Sequence, residues 1–179
     1  MATVNITPDA TISNDWTIVG GSGTVHQNLA DSSDTSLIRT QDQNDVAIVT
    51  LLNSASYASP ATIDSIRFYV RGVLFNARSG NTDIQVVLTD ATAVTYYAET
   101  VTLNFTAGYA PEDHYGTART TSNGSTAWTT SDINGLRLNI NTNPEDPSGA
   151  GYAQVVKAYV EVTYTEGVVD DAIFFGHNF

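Results

Sequence analysis

The feature that most constrains this chain is an alternation of apolar and polar side chains with a period of two. It recurs in segments 66–71, 84–89, 101–106, 136–140 and 156–164. Because successive side chains of a β-strand point to opposite faces, each segment is predicted to be a strand with one buried face. In the longest segment the residues predicted to point inward are Val156, Ala158, Val160, Val162 and Tyr164, and those predicted to point outward are Lys157, Tyr159, Glu161 and Thr163.

One further segment, 45–52, is apolar at nearly every position. Such a run is typical of a central strand that is covered on both faces. Turn-forming residues separate the predicted strands, in segments 19–23, 77–81, 89–91, 122–125 and 143–149. No stretch of a dozen residues carries apolar side chains at helical spacing.

This pattern predicts an all-β chain of eight to ten strands, folded as an antiparallel β-sandwich or jelly roll. We expect one domain and divide the chain into three parts. Residues 1–11 are predicted to be a short N-terminal arm, residues 12–166 the sandwich, and residues 167–179 an apolar C-terminal tail.

The charge balance excludes several classes of partner. The 179 residues include 7 basic and 19 acidic side chains, so the formal net charge is -12. Binding to nucleic acid phosphates and to anionic membrane surfaces both need clustered Lys and Arg, so we expect neither partner. No apolar run approaches the roughly 20 residues that span a bilayer.

The chain contains no cysteine, which excludes disulfides, thiol catalysis and thiolate metal sites. Residues 1–5 carry no basic segment and no hydrophobic stretch of the kind that begins a secretory leader. We therefore expect synthesis and folding in a cytoplasm.

The predicted tail ends in an unusually apolar segment. Its large side chains are Ile173, Phe174, Phe175 and Phe179. Left in solvent they would form an exposed hydrophobic patch. Two arrangements remain open: the tail folds back onto its own sandwich, or it docks on a neighbouring subunit or another protein. The four side chains are the predicted interface residues.

No catalytic constellation can be assembled from the sequence. The three histidines, His26, His114 and His177, lack the spacing of a metal-binding motif, and no serine lies in a G-x-S-x-G motif. His26 is expected at a strand edge, and His114 is expected to be a solvated imidazole in a loop after Pro111. We predict that the protein is not an enzyme, with no catalytic residue and no metal ligand.

Three weaker signals have a structural and a functional interpretation. The acidic turns 31–34 and 42–45 could supply oxygen ligands to calcium, but we interpret them as solvated turns and predict no cofactor. The glycine-rich segment 20–23 is interpreted as a hairpin turn and not as a phosphate-binding loop. Trp16 and Trp128 occupy strand-like positions and are expected in the core, the alternative being a platform for a sugar ring.

The order of several short segments resembles a known family. These segments are 15–17 (DWT), 30–39 (ADSSDTSLIR), 63–71 (IDSIRFYVR), 126–136 (TAWTTSDINGL) and 155–164 (VVKAYVEVTY). Together they resemble jelly-roll virion proteins of tailed bacteriophages, found among capsid decoration (cement) proteins. The same order is similar to galactose-binding-type sandwiches, which include many carbohydrate-binding modules.

The phage resemblance implies a non-enzymatic virion structural protein on the outer capsid surface. It implies a homotrimer that bridges subunits of the major capsid protein and stabilises the shell. The alternative is a carbohydrate- or receptor-binding module of a tail fibre or surface protein. That alternative predicts at least one exposed aromatic side chain in a shallow groove, among Trp16, Trp128, Tyr97, Tyr109 and Tyr115.

Overall fold

The computed structural model describes residues 1–51, 60–75, 81–142 and 151–167, apart from Ser22, Ser32, Gln41, Gln43, Phe105, Ala107, Asn123 and Gly124. Eleven strands and two short helices lie in this part of the chain. The strands are β1 (Ala2–Ile6), β2 (Pro8–Asn14), β3 (Thr17–Val19), β4 (Leu37–Thr40), β5 (Val46–Leu51), β6 (Pro60–Phe75), β7 (Asn81–Thr89), β8 (Thr95–Asn104), β9 (Glu112–Tyr115), β10 (Arg137–Thr142) and β11 (Tyr152–Glu166). The helices are α1 (Val25–Ala30) and α2 (Thr130–Asn134). None of the described helices is long and apolar enough to cross a membrane.

The strands form two antiparallel sheets. The six-stranded sheet has the order β3-β4-β11-β6-β9, and β1 also pairs with β11. The five-stranded sheet has the order β2-β5-β10-β7-β8. The chain crosses repeatedly from one sheet to the other, and the predicted all-β antiparallel sandwich is confirmed. The structure has more strands than the eight to ten predicted, because short strands such as β3 and β9 carry too few residues to show an alternation.

The core lies between the two sheets and is built by the predicted alternation. The inward residues of β7, Ile84, Val86 and Leu88, are fully buried. Of the inward positions predicted for segment 156–164, Ala158, Val160, Val162 and Tyr164 join this core. A register shift between Val155 and Lys157 corrects the remaining one: Val155 joins the core, whereas Val156 is buried outside the core cluster. Val25 and Leu29 of α1 and Ile133 of α2 join this core, so the helices complete the apolar layer at its margins.

Residues 1–11 are not an arm, which corrects the sequence prediction. Residues Ala2–Ile6 form β1 and pair in register with 160–164 of β11. Pro8 then begins β2, which pairs with β5 in the opposite sheet. Ile6 is only 2% exposed and belongs to the core. The first fourteen residues therefore contribute a strand to each sheet.

Two other local predictions are wrong. Within segment 45–52, Val46–Leu51 form the central strand β5, but burial alternates along it, and only Ala47, Val49 and Leu51 are fully enclosed. The segment after β3 is not a hairpin turn, because it leads into α1, which contains His26. The Gln27 side chain accepts a hydrogen bond of 2.8 Å from the backbone N–H of Thr24 and so caps the start of this helix.

Candidate functional site

Three tyrosines lie side by side on the outer face of the six-stranded sheet. In β6, the inward residues Phe68 and Val70 are buried, so Tyr69 between them points outward. Tyr69 pairs with Tyr159 of β11 on one side and with Tyr115 of β9 on the other. The strand register therefore places the three rings in one row across three strands.

The rings of this row pack directly against one another. Tyr69 and Tyr159 stack, with centroids 4.4 Å apart and planes inclined by 17°. Tyr69 and Tyr115 meet edge to face at 5.0 Å and 62°. Both geometries are favourable for aromatic pairs. Tyr69 and Tyr159 are largely buried, whereas Tyr115 is 51% exposed at the sheet margin.

Hydrogen bonds hold the central ring in place. The Tyr69 hydroxyl donates to Oδ1 of Asp113 over 2.7 Å. Burial, together with this bond to a carboxylate, raises the pKa of Tyr69 well above its usual value. The same hydrogen bond, reinforced by Arg71, lowers the pKa of Asp113. Burial likewise raises the pKa of Tyr159 to about 12. Tyr69 and Tyr159 therefore keep their hydroxyl protons throughout the physiological range.

Ion pairs flank the tyrosines on both sides. Arg71 donates from Nε and Nη2 to the two carboxylate oxygens of Asp34, each over 2.9 Å, and from Nη1 to Asp113 over 2.7 Å. Arg67 donates from Nε to Glu161 over 2.6 Å. The two-pronged contact with Arg71 lowers the pKa of Asp34.

Cations also lie over the aromatic rings. The guanidinium carbon of Arg67 is 4.6 Å from the ring centroid of Tyr115. Lys157 Nζ is 5.9 Å from the Tyr159 centroid. Further along β11, the guanidinium carbon of Arg39 is 4.7 Å from the centroid of Tyr152. These distances lie within the range of cation–π attraction.

We call this surface the tyrosine–cation face. Its members are Asp34, Arg39, Arg67, Tyr69, Arg71, Asp113, Tyr115, Tyr152, Lys157, Tyr159 and Glu161. It holds four of the seven basic side chains of the protein but three of the nineteen acidic ones. Asp15, Asp42 and Asp45 line the same pocket as Arg39 and Tyr152, so the basic side chains of this face lie among carboxylates.

His114 occupies a different position from the one predicted. His114 lies in β9 and not in a loop, which corrects the sequence prediction. It pairs with the inward residue Val70, and its Nε2 is buried without a hydrogen-bond partner in the described part of the chain. Burial lowers the pKa of His114, although Glu112 and Asp113 act in the opposite direction.

The two acidic turns do not converge into a cation site. Asp34 is engaged by Arg71, and Asp31 accepts a hydrogen bond of 2.6 Å from the backbone N–H of Ser33. Asp45 accepts a hydrogen bond from the Thr40 hydroxyl. Within the described ranges, no group of three or more His, Asp or Glu side chains could hold a metal ion.

The aromatic candidates divide into buried and exposed residues. Trp16 and Trp128 are buried in the core, as predicted, and Tyr97 is buried with them. Tyr115 is the candidate that is most open to solvent. The predicted interface residues Ile173, Phe174, Phe175 and Phe179 lie outside the described residues.

The sequence pattern alone does not indicate the tyrosine–cation face as a site. The alternation correctly assigns Tyr69 and Tyr159 to outward positions. Their proximity depends on pairing between strands that are about 90 residues apart, and Tyr115 lies in a four-residue strand. The available signal was the unusual composition of the outward positions, which are Tyr, Arg and Lys where exposed strand positions of this chain are otherwise mostly Thr, Ser and Asn.

No protein-family model matches this sequence, and no curated protein does. Fourteen chains of solved structures match. One is an arabinose-bound α-L-arabinofuranosidase, MgGH51, with a TM-score of 0.49 and 7% identity, covering 86% of this chain and 23% of that one. Another is the catalytic domain of a GH87 α-1,3-glucanase in complex with nigerose, with a TM-score of 0.46 and 10% identity, covering 93% and 29%.

A third similar structure is the Stig cyclase Fisc from Fischerella sp. TAU. Its TM-score is 0.39 at 14% identity, and the match covers 92% of this chain and all of that one. This chain spans about a quarter of the length of the two glycoside hydrolases. None of these three is a phage protein, and similarity at this level carries no argument about function.

Proposed function

We propose that this chain is a non-enzymatic structural subunit of a virion, a capsid decoration protein that docks through its tyrosine–cation face. The observation that carries the docking role is the half-exposed ring of Tyr115, which packs against the largely buried Tyr69–Tyr159 pair and is bordered by arginines and a lysine. Tyr and Arg are enriched in protein interfaces and among the residues that dominate their binding energy. The virion setting rests on the sequence resemblance.

The rigidity of the face favours such a role. Stacking holds Tyr69 against Tyr159, and ion pairs hold Arg67 and Arg71. A surface that is ordered before binding loses little conformational entropy when a partner arrives. The partner is the major capsid protein, and a homotrimer would engage several shell subunits at once and so bind more tightly than one copy. The apolar tail is the second predicted contact.

The test is co-sedimentation of the purified chain with shells assembled from the major capsid protein of the same genome. Replacing the half-exposed ring by Tyr115→Ala should weaken binding by about tenfold, the effect of losing a moderate interface residue. Val94→Ala is the matched control, since Val94 is a 45% exposed apolar residue outside the face. Failure of the unmodified chain to sediment with shells would contradict the proposal.

A second candidate function is carbohydrate binding, favoured by the exposure of Tyr115. Half of this residue is open to solvent beside polar and charged groups, as in many sugar-binding sites. Calorimetric titration with host surface polysaccharides tests it. Saturable heat that disappears in Tyr115→Ala would support this function, and the absence of heat with every polysaccharide would exclude it.

A further inference from the structure

A polar cavity lies at the margin of the sandwich, where the chain crosses from β4 in the six-stranded sheet to β5 in the five-stranded sheet. Its volume is about 310 Å³, within the range of small-molecule sites. The residues that carry its chemistry are Asp15, Thr17, Arg39, Asp42, Asp45 and Tyr152. Both hydrogen-bond donors and acceptors therefore line one cavity.

Three carboxylates line this cavity without forming a metal site. Asp15 Oδ2 accepts a hydrogen bond of 3.2 Å from the backbone N–H of Val46, and Asp45 accepts one from the Thr40 hydroxyl. These bonds position the two carboxylates and leave acceptor capacity unused, because an ionised carboxylate has about four acceptor sites. Within the described ranges the aspartates do not form a group that could hold a metal ion. A suitable occupant is therefore larger than an ion and brings several separate donors.

Arg39 supplies the opposite chemistry to the same cavity. Its guanidinium carbon lies 4.7 Å from the ring centroid of Tyr152. A guanidinium that stacks on an aromatic ring keeps its in-plane N–H donors open to other partners. Although three carboxylates line the cavity, Arg39 forms no ion pair in the part of the chain that the structure describes. Donors and acceptors are thus held apart across the cavity.

This arrangement disfavours charged occupants. An anion would meet the three carboxylates, and a cation would meet the guanidinium of Arg39 and leave it without a counter-charge. A sugar is neutral, and each of its hydroxyl groups both donates and accepts a hydrogen bond. One sugar ring can therefore donate to the carboxylates and accept from the guanidinium at the same time.

We propose that this cavity binds a neutral saccharide, with Arg39 donating to hydroxyl oxygens of the sugar and Asp15 and Asp42 accepting from its hydroxyl groups. Asp15 and Asp42 are exposed, so a sugar reaches them from solvent. The role of Tyr152 is to hold Arg39 and not to stack on the sugar.

The site does not depend on the docking role proposed above, and it is separate from Tyr115. Tyr159, in the tyrosine row, lies seven residues along β11 from Tyr152, a separation of roughly 20 Å. A sugar bound in the cavity therefore leaves Tyr115 uncovered.

The experiment is saturation-transfer NMR on the full chain, with D-glucose, D-galactose, D-mannose, L-rhamnose and N-acetyl-D-glucosamine as probes. At least one of these sugars should bind. Asp42→Ala and Arg39→Met should each weaken its binding by about tenfold, as expected from the loss of hydrogen bonds to a charged group. Glu112→Ala is the matched control, because it removes an exposed carboxylate from β9 at the opposite edge of the sheet and should leave the affinity unchanged.

Thermal unfolding of each variant shows whether it has folded, and Asp42→Ala alters an exposed loop residue that should not be needed for folding. Absence of binding with every sugar of the set would overturn the inference. So would equal affinities of Asp42→Ala, Arg39→Met and the unmodified chain. Tighter binding of 1,4-diaminobutane than of every sugar would overturn it in favour of a cationic ligand.

The variant Tyr115→Ala separates this inference from the second candidate function. Unchanged sugar binding in Tyr115→Ala, with weakened binding in Asp42→Ala and Arg39→Met, would support the cavity as the site. Loss of binding in Tyr115→Ala alone would place the sugar on the tyrosine row and overturn the inference.

Discussion

Tyr69 and Tyr159 are directly paired in neighbouring strands and stack with their ring centroids 4.4 Å apart. The pair lies on an outer sheet face, yet only 6% and 8% of the two residues is exposed. A stacked cross-strand pair contributes about 0.5–1.5 kcal/mol beyond the burial of its surface. The pair therefore stabilises the sheet and holds the candidate docking surface in one conformation.

This burial predicts a difference between tyrosines of the same row. Tyr159→Ala should lower the free energy of unfolding by about 3 kcal/mol, since it removes a buried aromatic ring and leaves a cavity. Tyr115→Ala should cost about 1 kcal/mol, because half of that residue is already in solvent. Urea denaturation of both variants measures the two costs, and equal losses would contradict the packing described for the row.

The two buried tryptophans offer a second comparison. Trp128 Nε1 donates a hydrogen bond of 2.9 Å to the carbonyl of Arg119, whereas Trp16 Nε1 is buried without a partner in the described part of the chain. Replacement by phenylalanine removes similar volume at both positions. Trp128→Phe should therefore destabilise the protein by about 1 kcal/mol more than Trp16→Phe. The reverse order in denaturation experiments would show that the indole of Trp16 has a partner.

His114 should make stability depend on pH. Because burial lowers its pKa in the folded state, the folded protein favours the neutral imidazole. The stabilisation is present above the unfolded pKa of about 6.5 and is lost as the pH falls through the folded pKa. The urea midpoint should therefore decrease between about pH 7.5 and pH 5.

The variant His114→Leu provides the control for this pH effect. It removes the titrating group from β9 and should flatten the profile over the same interval. Asp34 and Asp113 have lowered pKa values, so their contribution is lost only in more acidic solution. An unchanged slope in His114→Leu would assign the pH dependence to other groups.

A glycine next to the tyrosine–cation face should tolerate no side chain. A Cβ added to Gly72 in β6 would lie 2.7 Å from the carbonyl oxygen of Gln154 and 3.0 Å from Leu103 Cδ2. Gly72→Ala should therefore cost about 1–3 kcal/mol, as overpacking does.

Gly135, which follows α2, is the matched control. A Cβ there would meet its nearest neighbour at 3.6 Å, an ordinary contact, and its φ of -97° suits any residue. Thermal unfolding of Gly72→Ala and Gly135→Ala compares the two sites. A stable Gly72→Ala protein would show that β6 and β11 can separate locally without cost.

The sequence predicted the core well because burial in a strand follows directly from a period of two. Ile84, Val86 and Leu88 are a clear example. The sequence pattern did not predict α1, because a helix of six residues is too short to show apolar side chains at helical spacing. The pattern Thr24-x-x-Gln27, a capping box, was the local signal for this helix. A second capping box, formed by Thr129 and Asp132, likewise indicates the start of α2.

The candidate site was harder to predict than the core. Outward positions accept both polar and apolar side chains. The alternation therefore predicts that Tyr69 and Tyr159 point outward, but it does not predict which side chains they contact. Neighbours on a sheet face depend on strand order, which the local sequence does not encode. The N-terminal strand was missed for a related reason, since β1 is stabilised by pairing with a strand about 155 residues away.

The position of β11 has a consequence for how the protein is made. This strand lies between β6 on one side and β4 and β1 on the other, yet it is the last strand of the described chain to leave the ribosome. Until residues 152–166 emerge, the facing edges of β4 and β6 have unpaired backbone groups. Sheets closed by distant segments form slowly, and their open edges can capture strands of other nascent chains. During synthesis there is thus an interval in which most of this sheet has been translated but its central strand, β11, is still missing. A stalled or truncated product that lacks β11 would be the form most prone to aggregate.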